Sequence, residues 1–267
     1  MSFRINSNVQ SISAQNALTK TSDNLAKSME RLSTGKRINS AADDAAGLGI
    51  SEHMQSQIRG LGQAQRNIQD GVSMVQTAEG NLDQVHSMLQ RVRELAVQYK
   101  NGTLGTADKA AIQSEVDQLH SEIDRIGTSA NFNGISLLDG TSASISFQVG
   151  ANDSDVVNVA LTTLSTSVGT STYCLDASDT LSQIDASIGN VSKDRAGLGA
   201  VQNRLENAMA VQATYQENLT AAESQITDVD MAAEMSTLTK NQILQQAGTA
   251  MLAQANSAPQ AVLRLLQ

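Results

Sequence analysis

The chain has 267 residues, a formal charge of −9, aromatic residues at only 2%, a single Pro and a single Cys. That length buries a sizeable core, but with so few rings the core must be built from Leu, Ile, Val, Ala and Met, and the near absence of Pro removes the main helix breaker. The acidic balance without clustered Lys and Arg argues against nucleic-acid binding, no apolar run reaches the roughly 20 residues of a membrane span, and lone Cys174 rules out an internal disulfide.

The opening MSFRINSNVQSIS lacks the apolar h-region of an ordinary secretory signal, so the chain reads as cytosolic unless export uses an uncleaved N-terminus. Ile5, Val9 and Ile12 begin an apolar stripe, and Leu18, Ser22, Leu25, Met29 and Leu32 continue it in alternating steps of four and three, a heptad seam. The pattern breaks at Gly35. RLSTGKRINSAADDAAGLGIS (31–51) reads as a structured loop or broken helix, in which Asp43 and Asp44 cap or salt-bridge.

Helical spacing returns at Ile58. Leu61, Gln65, Ile68 and Val72 lead, through a three-residue slip at Val75 and Ala78, into Leu82, Val85, Leu89, Val92, Ala96 and Tyr99. Such a slip predicts local overwinding, and Asn101–Gly102 ends the helix. A second helix is expected from an N-cap at Thr106, with Asp108 in its first turn and Ile112, Val116, Leu119, Ile123 and Ile126 on one face, stopped by Gly127. The two make an antiparallel helical hairpin.

The period then changes. After the turn-rich NFNGISLL (131–138), Ile145, Phe147 and Val149 alternate with polar residues, as do Val157, Val159 and Leu161, which predicts a β-hairpin. Residues 162–172 are Ser, Thr and Gly rich and read as loop; Asp179 is placed to cap the next helix. From Leu181 to Ile226 that helix runs about 46 residues, roughly 70 Å, too long for a compact globule of this size.

The last stretch, Asn241 to Gln267, carries a second heptad seam at Leu244, Gly248, Met251, Ala255, Ala258, Val262 and Leu265. Small residues let another backbone approach but bury little apolar surface. Ordering a residue costs about 1.5 kcal/mol and burying a large aliphatic side chain returns about 2 kcal/mol. Four large residues do not hold this helix alone; it needs a partner helix, for which the N-terminal seam is the obvious choice, and neighbouring molecules. The expected fold is mainly α: a long-helix coiled-coil rod with a small β-hairpin region and both termini paired as helices. Residues 1–40 form an N-terminal inner helix, 41–180 the rod with its loop and two hairpins, 181–226 the return helix, and 227–267 the C-terminal helix.

No catalytic constellation is legible. His53, His86 and His120 are each alone on a helix face, without a His-Glu-x-x-His zinc pattern. GLGI and GLGA lack the strand and Lys of a phosphate loop. Cys174, in TSTYCLD, has no neighbouring His to activate it. Asn-x-Ser/Thr triplets at Asn101, Asn152, Asn190 and Asn218 are short enough for chance. No enzyme activity, metal or cofactor is expected.

RLSTGKRINSAADDAAGLGISEHMQSQIRGL, NIQDGVSMVQTAEGNL, QRVRELAVQ, NFNGISLLDG, FQVGAN and AMLAQANSAPQAVLRLL together resemble bacterial flagellin, in order and over nearly the whole chain. Residues 140–180 hold only a hairpin and a loop where many flagellins insert outer domains, so the resemblance is to a short form. It implies a non-enzymatic subunit of the extracellular flagellar filament, exported unfolded through the flagellar channel without a cleaved signal and polymerised under a cap protein. It implies as partners further copies of itself, cap and hook–filament junction proteins, and an export chaperone at the C-terminus. Leu18, Leu25, Met29, Leu32, Leu244, Met251, Val262 and Leu265 would form the polymerising inner core. Arg31, Gly35, Arg37, Ile38, Asn39, Asp43 and Asp44 would form the spoke leading out of it. Gln90–Val97 is similar to the flagellin segment read by vertebrate Toll-like receptor, which implies recognition through Arg91, Leu95 and Glu115.

Three other readings stand further off. A chemoreceptor-like coiled-coil hairpin needs a tight tip and a sensor or membrane segment. A flagellin with a protease insert needs a His-Glu-x-x-His motif, and residues 140–180 contain no His. The hook–filament junction protein shares terminal motifs, but the intact QRVRELAVQ and VLRLL favour flagellin.

Overall fold

In the computed structural model the described residues are 8–169, 173–176 and 180–265, with side chains described as far as 257. They form α1 (Val9–Thr34), α2 (Ala45–Tyr99), α3 (Thr106–Ser129), β1 (Asn131–Phe132), β2 (Ile135–Ser136), β3 (Ser144–Gln148), β4 (Val156–Ala160), α4 (Leu164–Val168), α5 (Thr180–Thr227) and α6 (Met231–Leu265). The fold is mainly α, with two antiparallel strand pairs, β1–β2 and β3–β4. The chain divides into two compact units, one of Met1–Ser56 with Asn218–Gln267 and one of Gln57–Glu217.

The second unit holds the core. From Leu61 on, α2 buries Leu61, Ala64, Ile68, Gly71, Val75, Ala78, Leu82, Val85, Leu89, Val92, Ala96 and Tyr99 in an unbroken four-three alternation, with Met74 and Leu95 buried beside it. The expected slip does not exist. The stripe passes through Ala64 and Gly71, whose small size hides them from a search for large apolar residues, rather than through Gln65 and Val72. Gly71 has a reason to be small: a β-carbon there would lie 3.2 Å from the Phe147 ring of β3.

Ile112, Val116, His120, Ile123 and Gly127 are the buried residues of α3. Its N-cap is Gly105, not Thr106, and Asp108 reaches back to accept from the Gly105 N–H at 3.2 Å. Gly127 does not stop the helix. It lies two residues inside the end and lets Leu164 of α4 approach, its β-carbon site being 3.1 Å from a Leu164 methyl. The stretch 162–172 accordingly contains α4 rather than loop alone, and Leu164, Val168, Tyr173 and Leu175 enter the core. Asp179 lies outside the described residues.

Asn133 and Gly134 both have positive φ, 50° and 80°, the backbone of a type I′ turn, and make a tight hairpin of β1 and β2. Leu137 and Leu138 follow it into the core. The β3–β4 hairpin pairs Ile145 with Val159 and Phe147 with Val157, as the alternation predicts. Ion pairs tie α2 to α5, with Arg195 reaching Glu79 at 2.7 Å and Asp83 at 2.9 Å, and Arg93 reaching Asp185 at 2.6 Å.

The first unit is α1 packed antiparallel on α6, together with the loop 35–44, the start of α2 and the end of α5. α2 begins at Ala45, 13 residues before the apolar pattern at Ile58 becomes legible. Asp44 starts it by accepting the Gly47 N–H at 2.9 Å. Asp230 does the same for α6, accepting from the Ala232 and Ala233 N–H groups.

Candidate functional site

The residues of α1 and α6 that face each other are not quite those the heptads pick out. On α1 the shielded positions are Ser11, Ala14, Leu18, Thr21, Leu25, Ser28 and Leu32; on α6 they are Glu234, Leu238, Asn241, Gln245, Gly248, Leu252 and Ala255. Both keep the four-three spacing. Ser22 and Met29 face away from the pair, with Met29 55% exposed. The polar members Thr21, Ser28, Asn241 and Gln245 concealed this stripe from a reading based on apolar letters. The pairing is fixed at one end by Asn8 donating to the Ala255 carbonyl at 2.8 Å and Ser11 donating to Asn256 at 2.7 Å. In its middle, Leu18 approaches to 3.2 Å of the β-carbon site of Gly248.

The heptad read from sequence on α6 runs one position aside. It shares Gly248 and Ala255 with the inner stripe but carries Leu244 and Met251 outward, 46% and 66% exposed. α6 therefore has two overlapping seams, one closed by α1 and one open. Along the open one lies a groove of about 730 Å³, lined by Val9, Ala14, Ala17 and Leu18 from α1 and by Leu244, Ala247, Gly248 and Met251 from α6, with Gln10, Ser13, Thr21 and Gln254 as its polar members. The side chains of Val262 and Leu265 lie outside the described residues.

Among the described residues of this unit, Ile38 is the one apolar side chain that is fully buried, while Val9, Ile12, Met29, Ile50, Met231, Met235, Ile243, Leu244 and Met251 are exposed. Scattered exposed aliphatic residues are ordinary. A unit that exposes nine large ones, half-buries the others and fully buries one lacks a core of its own.

Where α1 ends, the chain is clasped. Gly35 takes the left-handed φ of 72° that closes the helix. Its carbonyl accepts from the Val229 N–H at 3.0 Å, and the Arg37 N–H donates to the Thr227 carbonyl at 2.6 Å. The Arg37 guanidinium donates to the Ile226 carbonyl at 2.8 Å, a cation at the C-terminus of α5. Arg31 stands 3.9 Å from both Asp43 and Glu234. Asp43 accepts from the Ser40 hydroxyl at 3.0 Å and from the Ser40 and Asn39 N–H groups, and these bonds, the Ser40 hydroxyl foremost, hold its carboxyl below the ordinary range. Ile38 is the buried peg of the clasp. Its terminal carbon and the Asp44 carboxylate fill the space where a β-carbon on Gly47 would stand. The clasp thus brings Arg31, Gly35, Arg37, Ile38, Asn39, Asp43 and Asp44 together; Glu234, Thr227 and Gly47 join them without having been legible as partners.

In the second unit, Arg91 donates to Glu115 across the α2–α3 hairpin at 2.9 and 3.1 Å and to Glu94 at 3.2 Å, all three exposed. Leu95 is different. It is 2% exposed and part of the core, so it offers no surface of its own. The wide buried face of α2, which also meets α3, takes it in. His120 is likewise no surface histidine. It is buried, edge-on to Tyr173 at 5.7 Å, with Nδ1 3.3 Å from Asp124.

The family model described as the bacterial flagellin N-terminal helical region matches residues 5–143, and that of the C-terminal helical region matches 181–266. A flagellin of Halalkalibacterium halodurans is 49% identical over 98% of this chain and 99% of its own. The flagellar filament 33 kDa core protein of Treponema phagedenis is 45% identical over 98% and 99%. The crystal structure of Bacillus cereus flagellin superposes with a TM-score of 0.51 at 32% identity, covering 59% of this chain and 94% of that one. The chain belongs to the bacterial flagellin family, the non-enzymatic, self-polymerising structural subunits of the extracellular flagellar filament.

Proposed function

We propose that the α1–α6 pair is the polymerising inner core of this subunit, with Leu18, Leu25, Leu32 and Leu244 among its packing residues, Met29 and Met251 turned toward neighbouring copies, and Val262 and Leu265 as the next members of the sequence heptad. Residues 1–40 and 227–267 supply this core, 41–180 and 181–226 the layer around it, and Arg31–Asp44 the spoke between. The observation that carries the reading is the open seam in a unit with one buried apolar residue among those described: α6 repeats a heptad that the described residues leave open. Helices of further copies complete it.

The same reading takes the chain out through the flagellar channel unfolded, with its C-terminal helix held by an export chaperone beforehand, and adds it at the tip under a cap protein beyond the junction proteins. The monomer is read by vertebrate Toll-like receptor through the exposed Arg91–Glu115 pair, with Leu95 holding α2 in place from inside rather than touching the receptor.

Seeded filament growth tests the core assignment. Leu244→Asp places an unpaired carboxylate in a packed seam, which costs several kcal/mol at every lattice position. Growth on seeds is expected to stop while thermal unfolding of residues 57–217 stays unchanged. Normal growth would remove Leu244 from the core.

A further inference from the structure

Of the chain's nine Met residues, Met74 is fully buried, whereas Met29, Met209, Met231, Met235 and Met251 are exposed. Met251 differs from the other described Met residues in two ways. At 66% it is the most exposed of them, and it is the one that lines the open groove, one turn past Gly248, where α6 comes closest to Leu18. A thioether so placed is accessible to small oxidants and sits on an apolar surface awaiting cover. We propose that Met251 is an oxidation site that decides whether the subunit can enter a filament, a proposal that rests on the inner-core reading above.

The reaction needs a hydroperoxide or hypohalous acid. With hydrogen peroxide, the Met251 sulfur attacks one peroxide oxygen, an S–O bond forms as the O–O bond breaks, and the departing oxygen takes up the transferred proton and leaves as water. The sulfur is oxidised by two electrons and the peroxide reduced by two. The product sulfoxide is polar and chiral where the thioether was apolar and flexible. The groove presents Leu18 and Leu244 with a few polar side chains, Gln10, Ser13, Thr21 and Gln254, so a neighbouring helix that covers the sulfoxide must strip its oxygen of water that those few groups only partly replace. Oxidation therefore blocks closure of the seam, and closure of the seam shields the sulfur. The subunit is sensitive before assembly and protected after it, and a thiol-dependent sulfoxide reductase restores it.

The test treats full-length subunits and preformed filaments with hydrogen peroxide, maps sulfoxides by peptide mass spectrometry, and measures growth of the treated subunits on seeds. In free subunits Met251 is expected to convert well ahead of Met74, and in filaments at least tenfold more slowly than in free subunits. Oxidised parent should lose seeded growth at least tenfold and regain it after enzymatic reduction. Met251→Leu, which keeps the apolar volume without sulfur, is read against its own untreated growth, and the treated-to-untreated ratio should stay near one even though Met29, Met209, Met231 and Met235 are oxidised in it. The proposal is overturned if oxidised parent grows at the untreated rate, if Met251→Leu is as sensitive as the parent, or if Met251 reacts equally fast in filaments. Leu244→Asp run alongside separates the two readings. If it too grows normally, the inner-core assignment has failed; if it does not grow but oxidised parent does, only the oxidation site has.

Discussion

The two units are built from the same helices and the same aliphatic alphabet, yet they use them in opposite ways. Residues 57–217 bury Leu, Ile and Val along an unbroken heptad on α2, meet them with α3, α5 and the β3–β4 hairpin, and close the surface with ion pairs. The paired ends dilute Leu18, Leu25, Leu32, Leu238 and Leu252 with Ser, Thr, Asn, Gln and Gly on the closed seam and leave Leu244, Ile243 and Met251 outside. Stability resides in the first arrangement and vacancy for a partner in the second. A heptad does not by itself say which of the two it is; what distinguishes them is whether a second row of large residues is left on an open side.

That contrast is sharpest in paired truncations. Leu89→Ala empties a fully buried site and should destabilise residues 57–217 by about 2–5 kcal/mol in monomer unfolding. Leu244→Ala removes the same atoms from an exposed site and should change monomer stability by less than about 0.5 kcal/mol while slowing seeded growth. Equal effects on the monomer would erase the distinction. Gly71→Leu drives a side chain into the Phe147 ring; overpacking of this kind costs about 1–3 kcal/mol, read as a lower melting temperature of the middle unit with the β3–β4 amides losing exchange protection.

Smaller effects follow at the surface. Arg91→Ala breaks exposed, solvent-screened ion pairs and should leave the monomer melting temperature unchanged, so any loss in a Toll-like receptor reporter assay belongs to recognition rather than folding. Signalling equal to the parent at limiting dose would clear Arg91 of that role. The smallest change is expected in the clasp. Asp43 is held below its ordinary pKa of 3.8, so its contribution is complete above 3.8 and is lost as pH falls through the lower folded value. Asp43→Asn should therefore reduce amide-exchange protection of Arg31–Gly47 slightly at neutral pH and flatten its further loss below pH 3.8.

Much of this was legible from residues alone, and the misses share a cause. The helices α1, α3 and α5, the β3–β4 register and the breaks at Gly35 and Asn101 follow from periodicity and turn chemistry, because large apolar residues mark them. Ala64 and Gly71 were passed over since small residues signal a core position only through what packs on them, here Phe147 from 76 residues further along. Gly127 reads as a terminator until Leu164 is seen against it. On α6 the apolar letters mark the open seam, while the closed one runs through Asn241 and Gln245; letters record what a surface is made of, not which surface is already taken. The clasp residues announced themselves as a loop, but their partners at Thr227, Val229 and Glu234 lie nearly two hundred positions away, where no local pattern reaches.

The hydrogen bond from Asn8 to Ala255 spans 247 positions, and that separation bears on the order in which the chain acquires its structure. Bringing such distant segments together from an open coil costs about 5 kcal/mol in lost configurational freedom, more than two hydrogen bonds and a Gly- and Ala-lined seam return quickly. Once residues 57–217 have formed, with Gln65 already bonded to Gln216 at 2.9 Å, the loop left to close is far shorter. The middle therefore acts as a splint, its local helical hairpin forming early and the chain ends zipping last, so a lesion in the middle delays the ends while a lesion in the ends leaves the middle on time.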